Sequence, residues 1–454
     1  MTYRIGSGAG FSGDRIDAGL PVVEAIAAAG NGGAIIFETI GERTLALGQL
    51  ARRQDPALGY EPLLADYLRP ILKTCAEQDI VIVGNFGCAN PRAAAAVIAG
   101  LARELGLPPL RIATIDGDDV RDRINLATED LWDGDTGLPP PAGEIVSANA
   151  YLGAKAIADA VAAGAQVVVT GRVADPALAL GPLVAHFGWA WDDLDRIAAG
   201  TLVGHLLECG AQVTGGYFAD PGFKNVPRPE AIGFPIAEVE ADGSFVITKP
   251  PATGGLVDLR TVKEQLLYEI HDPAAYLTPD VSLDITCVEI AEVGPDQVRI
   301  SGARGHAAPE RLKATIGFLG DWFGEGEISY AGLNAFARAQ LAAEVIGKRL
   351  DMRGLGLRRR IDLIGVSSAF DDDSGSLRDN LGPEAVDGAQ DLRLRLAVAG
   401  PDKAAVEGAL QEVLALYCCG PAGGGGQRSR VTRRIETRSY LIPREAVEVA
   451  YHQQ

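Results

Sequence analysis

Arg4-Ile-Gly-Ser-Gly-Ala-Gly-Phe-Ser-Gly-Asp-Arg15 is a glycine-rich turn near the start of the chain. The apolar run from Tyr3 to Ile5 predicts a strand that leads into it, and apolar residues between Val22 and Ala27 predict a helix that follows. Backbone N–H groups in such a turn can approach an anion, and the N-terminus of the helix adds a favourable dipole. A tight turn that binds nothing would use the same glycines, so both interpretations stay open.

Polar side chains in this turn favour a binding site, because Asp14 and Arg15 lie directly at the bend. The glycine spacing departs from the G-x-G-x-x-G pattern of dinucleotide-binding folds, which argues against NAD. We therefore expect the turn to contact an anionic substrate through four residues, namely Gly8, Gly10, Ser12 and Arg15.

The first half of the chain alternates predicted strands and helices. This alternation is typical of a parallel sheet that is covered by helices on both faces. A segment rich in proline and glycine, Asp133 to Gly143, is predicted to be a surface loop. The predicted strands are Gly33–Phe37, Ile80–Val83, Leu110–Ile115 and Gln166–Thr170.

The second half has a different pattern. Asp242-Gly243 predicts a hairpin, and strands at Arg360–Val366 and Leu392–Ala399 accompany long helical patterns at Asn334–Leu350 and Asp402–Tyr417. This arrangement predicts an α+β domain. We therefore expect an α/β protein with a parallel α/β domain at residues 1–230 and a C-terminal α+β domain at residues 231–454.

Polar residues recur directly after the predicted strands of the first half. Ligands bind at the carboxyl edge of parallel sheets, so we expect these side chains to meet in one crevice. For each residue taken alone, the alternative is a turn former or a helix cap. The residues are Asp14, Glu38, Asn85, Asp116 and Arg172.

Carboxylates at this edge can move protons, whereas amide and guanidinium groups can hold negative charge. Arg172 has a structural alternative, which is an ion pair with Asp14 or Asp116. The residues expected to act as acids or bases are Asp14, Glu38, Asp116 and Asp175. Those expected to bind substrate are Asn85, Asn90, which is also a good N-cap, and Arg172.

Composition narrows the classes of function. The 454 residues include 60 acidic and 41 basic side chains, and this net charge of −19 disfavours a nucleic-acid partner. With neither an apolar run long enough to span a membrane nor a leader pattern, we expect a cytoplasmic protein without membrane contact. The six cysteines lack C-x-x-C spacing, which argues against structural zinc. Asp116, Asp118 and Asp119 could hold Mg²⁺, but we prefer a solvated, helix-capping turn and expect no metal site.

A second glycine run, Cys419-Gly-Pro-Ala-Gly-Gly-Gly-Gly426, is followed by Arg428 and Arg430. Glycine runs are often flexible connections, but this one lies between a predicted helix and a predicted strand. We expect Gly423, Gly424 and Gly425 to bind substrate, and we expect the run to border the same crevice as Gly6–Gly13.

The chain resembles the AtuA-like proteins of the acyclic terpene utilisation family over nearly its whole length. The resemblance implies a role in the bacterial breakdown of citronellol- and geraniol-type compounds through acyl-CoA intermediates. Some members carry a small C-terminal domain, so a separate protein of that type is an expected partner. Besides the opening turn, the shared motifs are Asn85-Phe-Gly-Cys-Ala-Asn-Pro91, Asp116-Gly-Asp-Asp119, Thr170-Gly-Arg-Val-Ala-Asp175, Thr253-Gly-Gly-Leu-Val257, Ser301-Gly-Ala-Arg-Gly305 and Gly420-Pro-Ala-Gly-Gly-Gly-Gly426.

We expect an enzyme that hydrates, dehydrates or isomerises an anionic acyl substrate, either a carboxylic acid or a CoA thioester, and that requires no other cofactor. The alternative is a non-catalytic ligand-binding or assembly subunit of the same pathway. A serine hydrolase is disfavoured because no G-x-S-x-G motif is present. We expect His186 and His205 to be surface or half-buried helix residues, and we expect the protein to form a homo-oligomer.

Overall fold

The computed structural model describes residues 2–132, 134, 141, 143–381, 386 and 388–453, so most of the predicted loop at 133–143 lies outside the described residues. The described helices are α1 Gly19–Ala29, α2 Glu42–Gln54, α3 Leu64–Leu68, α4 Leu72–Glu77, α5 Pro91–Glu104, α6 Lys155–Ala162, α7 Ala177–Phe187, α8 Leu194–Leu207, α9 Leu259–Leu267, α10 Ala335–Arg353, α11 Ser376–Asp379 and α12 Lys403–Cys419.

The described strands divide between two compact units of the chain. They are β1 Tyr3–Ala9, β2 Gly33–Phe37, β3 Ile80–Gly84, β4 Ile112–Asp116, β5 Asp130–Leu131, β6 Glu144–Ala150, β7 Val167–Thr170, β8 Ile236–Val239, β9 Phe245–Thr248, β10 Tyr276–Leu277, β11 Ser282–Asp284, β12 Glu289–Gly294, β13 Gln297–Ser301, β14 Arg304–His306, β15 Arg311–Ala331, β16 Arg358–Ile364, β17 Asp391–Gly400, β18 Gly425–Pro443 and β19 Ala450–Gln453.

The first unit comprises residues 1–138, 145–317 and 437–454. Its main sheet has the order β12-β13-β9-β8-β1-β2-β3-β7-β4-β19. The central strands β1, β2, β3, β7 and β4 are parallel, as the alternating sequence pattern predicts. Every residue of β2 is buried, which suits a strand that is covered on both faces.

Helices cover both faces of this parallel sheet. On one face, Ile35 and Phe37 of β2 belong to a buried cluster with residues of α1, α3, α4 and α5. Ile36 points to the opposite face because successive side chains of a strand alternate, and α7 packs against β1, β2 and β3. The predicted α/β class with helices on both faces is therefore confirmed.

The units divide the chain at other places than the expected boundary near residue 230. The predicted hairpin is present as β8 and β9, but β8 pairs antiparallel with β1, from Tyr3 opposite Val239 to Gly6 opposite Ile236. Strand β19 likewise pairs with β4 at the other end of the sheet. Backbone hydrogen bonds therefore join segments beyond residue 230 to the first unit.

The second unit comprises residues 139–144 and 318–436. The strands follow the order β16-β17-β15-β18, in which β17 pairs antiparallel with both β16 and β15, and α10 and α12 pack on the sheet through a buried hydrophobic core. This architecture matches the α+β character that the sequence predicts for the later part of the chain. Within the described residues, none of the helices has both the length and the apolar character that crossing a membrane demands.

Candidate functional site

A cavity of about 1220 Å³ lies within the first unit. Three parts of its wall follow the carboxyl ends of parallel strands: the opening turn after β1, Glu38 after β2, and the segment from Arg172 to Pro176 after β7. The parallel sheet brings these ends to one edge, which is where the sequence predicts a ligand crevice. The rest of the wall comes from residues near 40–42, 208–217, 232–234, 268–279 and 309–313, together with Trp132 and Tyr151.

Glu38 is buried at this edge, with 8% of its surface exposed. Its Oε1 accepts hydrogen bonds from the Ile40 backbone N–H at 2.8 Å and from Asn85 Nδ2 at 2.9 Å. Burial and the nearby carboxylate of Asp175 raise the pKa of Glu38 well above its usual range, although Arg172 and Asn85 oppose this change. Glu38 can therefore hold a proton under conditions in which an exposed glutamate is ionised.

Asn85 acts behind Glu38 rather than on the cavity wall. Its Oδ1 accepts the Thr39 backbone N–H at 2.7 Å and the Thr39 hydroxyl at 3.2 Å, while its Nδ2 donates to Glu38. The side chain is fully buried, and all of these partners belong to the protein. Asn85 thus orients Glu38, whereas the sequence predicted direct contact with substrate.

Arg172 lines the cavity with only 2% of its surface exposed. One terminal nitrogen donates to the Ile40 carbonyl and the other to the Asp175 carboxylate. The guanidinium also lies over the Tyr151 ring, 4.1 Å from its centroid. Both terminal nitrogens have partners within the chain, so the geometry favours the structural alternative, with Asp175 as the partner instead of Asp14 or Asp116.

Asp175 completes this group at the start of α7. Burial raises the pKa of Asp175, although the Arg172 guanidinium lowers it. Pro176, the next residue, holds the N-cap position of this helix. The Asp175 carboxylate remains partly exposed on the cavity wall and can meet a ligand there.

Close packing explains two glycines of the opening turn, Gly8 and Gly10. A Cβ atom on Gly10 would lie 2.4 Å from the Cys209 carbonyl carbon and from the Gly210 nitrogen, and one on Gly8 would lie 2.5 Å from the Phe37 ring. The Gly10 N–H donates to Asp14 Oδ2 at 2.9 Å, so a residue of the same turn already uses this donor. Gly8 therefore packs in the core, while Gly10 lies on the cavity wall.

Asp14 and Arg15 extend from the turn onto the cavity wall. Burial raises the pKa of Asp14, although hydrogen bonds from the Gly10 and Arg15 backbones oppose the change. The guanidinium of Arg15 bonds Asp17 at 3.2 Å and remains partly exposed, so it can contact an anionic ligand. Ser12 is half-buried and is not among the residues that line the cavity.

Two further predicted residues have partners elsewhere in the first unit. Asn90 caps α5 by accepting the Ala93 N–H at 3.3 Å, and its Nδ2 donates to the carbonyls of Pro56 and Leu58. Asp116 pairs with Arg92 at 3.2 Å, beside the β4–β19 pairing. Neither residue lines the cavity. Asn90 instead caps α5, and Asp116 lies beside the added strand β19.

The acidic triplet after β4 divides its carboxylates among different partners. Asp118 Oδ2 accepts the Arg172 backbone N–H at 2.9 Å and Asn149 Nδ2 at 2.7 Å. Asp119 pairs with Arg121 at 2.8 Å. Gly423, Gly424 and Gly425 belong to the second unit, the first two between α12 and β18 and the third at the start of β18, and their contact with substrate stays a prediction.

The cavity wall also contains an acid that strand-end reasoning missed. Glu208 lies at the C-terminus of α8 with 6% of its surface exposed, and its Oε1 is 3.1 Å from Nδ1 of His205. Burial raises the pKa of Glu208 to about 7, although His205 opposes this change. His205 is completely buried, so the expectation of a surface or half-buried histidine is wrong. The histidine-to-glutamate spacing of three residues on a helix was the available signal.

The fold and the cavity define an α/β protein with a carboxylate-rich cavity at the carboxyl edge of a parallel sheet. The sequence profile described as acyclic terpene utilisation family protein AtuA matches residues 3–453, and the chain belongs to this family. The resemblance seen in the sequence motifs is thereby confirmed, and membership suggests a role in acyclic terpene utilisation. Comparison with curated proteins and with solved structures gives no match.

Proposed function

We propose that the protein is an enzyme of acyclic terpene or branched acyl catabolism that moves a proton on an acyl substrate. The observation that carries the proposal is that four carboxyl groups with raised pKa values share one cavity, namely Asp14, Glu38, Asp175 and Glu208. A raised pKa brings a carboxyl group closer to the pH range in which it can both give and take a proton, which suits general acid and base catalysis. Hydration, dehydration and isomerisation of an acyl compound each require such a transfer.

The cavity wall supports an acyl substrate with an anionic portion. Its volume of about 1220 Å³ exceeds the roughly 300–1,000 Å³ typical of small-molecule pockets, which leaves room for part of a CoA thioester. Phe11, Trp132 and Phe234 offer apolar surface for a branched chain. Arg15 and Lys313 offer positive charge for a carboxylate or a phosphate.

A hydrogen-exchange assay tests the proposal. The purified protein in D₂O is incubated with free and CoA-linked branched, unsaturated acids, and mass spectrometry follows deuterium uptake and formation of products. We expect turnover of at least one CoA thioester, at a lower rate in Glu38→Gln, because the amide cannot ionise in the cavity. Glu104→Gln, which alters an exposed ion pair with Arg69, is the matched control and should keep the wild-type rate.

The alternative, a non-catalytic binding subunit, predicts a different result. The wild-type protein would bind a thioester, seen as a raised thermal midpoint, without exchange or product from any compound tested. That result would overturn the enzymatic proposal and favour the alternative.

A further inference from the structure

His205 and Glu208 form a buried pair at the end of α8. His205 lies in the last helical turn and Glu208 at its C-cap position, so both occupy the negative end of the helix dipole. His205 Nδ1 and Glu208 Oε1 lie 3.1 Å apart. The imidazole donates when the carboxylate is ionised, and the carboxyl group donates when it is protonated.

Three buried polar atoms around this pair have no hydrogen-bond partner among the described residues: Nε2 of His205, Oε2 of Glu208 and Oε1 of Gln265. A buried polar group without a partner is unfavourable, so three such atoms at one place set this pair apart from the packed core. Gln265 is itself held in place, because its Nε2 donates to the His205 carbonyl at 3.0 Å. Glu208 itself lines the cavity, so it borders the space that a substrate would occupy.

The charged and titratable groups around Glu208 come from several elements. Asp175 precedes α7, Glu269 follows α9, Cys209 is next in the chain, and Tyr276 lies in β10. Burial raises the pKa of Glu208 most, and the carboxylates of Asp175 and Glu269 raise it further, while His205 lowers it. In turn, burial lowers the pKa of His205, but the bond and charge of Glu208, together with the backbones of Gln265 and Leu266, outweigh that change and raise it.

We propose that Glu208 is the catalytic residue that takes and returns the substrate proton, and that His205 is the positioning residue that stabilises its ionised form. This inference rests on the proposed function and names the group that performs it. The Glu208 carboxylate removes a proton from the carbon next to the thioester carbonyl, and the C–H electron pair passes into an enolate. In an unsaturated substrate the enolate is conjugated with the carbon–carbon double bond. Protonated Glu208 then returns the proton to the carbon at the end of this conjugated enolate farthest from the thioester, so the double bond changes position without net oxidation.

The chain offers matched variants for this inference. Glu208→Gln keeps the shape of the side chain and an acceptor for His205 but cannot carry the proton. We expect at least about a 100-fold loss of deuterium exchange, with thioester affinity within about threefold of wild type. Glu208→Asp retains a carboxyl group and should keep measurable exchange above that of Glu208→Gln.

Because His205 lowers the pKa of Glu208, His205→Gln should shift the midpoint of the pH–rate profile to higher pH, by about one pH unit. A purely structural role would lower the rate without moving that midpoint. His186→Gln is the control, because His186 lies in α7, stacks on Tyr3 and is not among the cavity-lining residues. This variant should keep the wild-type profile.

An infrared titration measures the protonation of the Glu208 carboxyl group without requiring turnover. The wild-type protein minus Glu208→Gln difference spectrum should contain the band of a protonated carboxyl group that disappears as pH rises through about 7. Absence of that band would overturn the inference, as would wild-type exchange by a folded Glu208→Gln variant. Failure of the wild-type protein to turn over any thioester would overturn the proposed function and, with it, the catalytic role of Glu208. The infrared band would still show whether the Glu208 carboxyl group titrates.

Discussion

Arg172 forms an ion pair with Asp175 while only 2% of the arginine is exposed. The same guanidinium bonds the Ile40 carbonyl and stacks on Tyr151, so a single buried cation joins the ends of β2 and β7. Its charge also lowers the pKa values of Glu38 and Asp175, which burial raises. Arg172 thus sets both the shape and the electrostatics of the cavity.

Arg172→Lys should destabilise the protein, because lysine lacks the planar fork that reaches Ile40 and Asp175 together. We expect a loss of about 1–3 kcal/mol in the free energy of unfolding, measured with urea. Arg92→Lys, at an exposed pair with Asp116, is the control and should change stability by about 0.5 kcal/mol or less. Unchanged stability of Arg172→Lys together with weaker ligand binding would instead support a grip on substrate.

Asn85→Asp should destabilise the protein more at higher pH. The new carboxyl group would replace the amide that donates to Glu38 and would face it, so each would raise the pKa of the other. The folded chain would then bind more protons than the unfolded chain, and stability would fall as pH rises through this range. Urea unfolding at about pH 5 and pH 8 measures this effect, which should be absent from the exposed control Asn31→Asp. Equal losses at both pH values would contradict the prediction.

Asp118 should make the wild-type protein less stable as pH rises. Burial raises the pKa of Asp118 to about 6, whereas in the unfolded chain it is about 3.9. Between these pKa values the folded chain keeps a proton on Asp118 that the unfolded chain has lost. The contribution of Asp118 to the free energy of unfolding is therefore greatest below about pH 4 and falls by up to about 3 kcal/mol as the pH passes 6.

Asp118→Asn should remove most of that pH dependence. The amide oxygen can replace Oδ2, the single atom that accepts both the Arg172 N–H and Asn149 Nδ2. Unfolding curves at several pH values between about 4 and 7 provide the measurement. Asp116→Asn is the neighbouring control, and a variant at 118 that keeps the wild-type slope would refute the assignment.

Gly10→Ala should destabilise the first unit, because its methyl group would meet the Cys209–Gly210 backbone at 2.4 Å. We expect a loss of about 1–3 kcal/mol, as in other overpacked sites. Gly100→Ala in α5 is the control, since the nearest atom to its new Cβ is the end of Arg103 at 4.0 Å. That helix substitution should raise stability by about 0.5–1 kcal/mol, and a neutral Gly10→Ala would exclude the close packing.

Part of the candidate site follows from the sequence. Valine and isoleucine runs identify buried parallel strands, and Asp14, Glu38, Arg172 and Asp175 follow three of them to the cavity wall. The sequence also predicted Asn90 and Asp116 in the site, but the structure places both outside the wall, because a residue after a strand can also cap a helix or lie beside an added strand. Local sequence does not distinguish these outcomes.

The sequence by itself determined the α/β class, the parallel strands and the edge at which polar side chains gather. These features follow from hydrophobic periodicity and turn residues, which depend only on neighbouring positions in the chain. Only the tertiary structure decided which side chains share the cavity. Cys209 and Gly210 pack against Gly10, and this contact brings the end of α8 to the opening turn. Glu208 therefore meets the strand-end carboxylates in one wall through contacts between segments far apart in the chain, which local patterns do not encode.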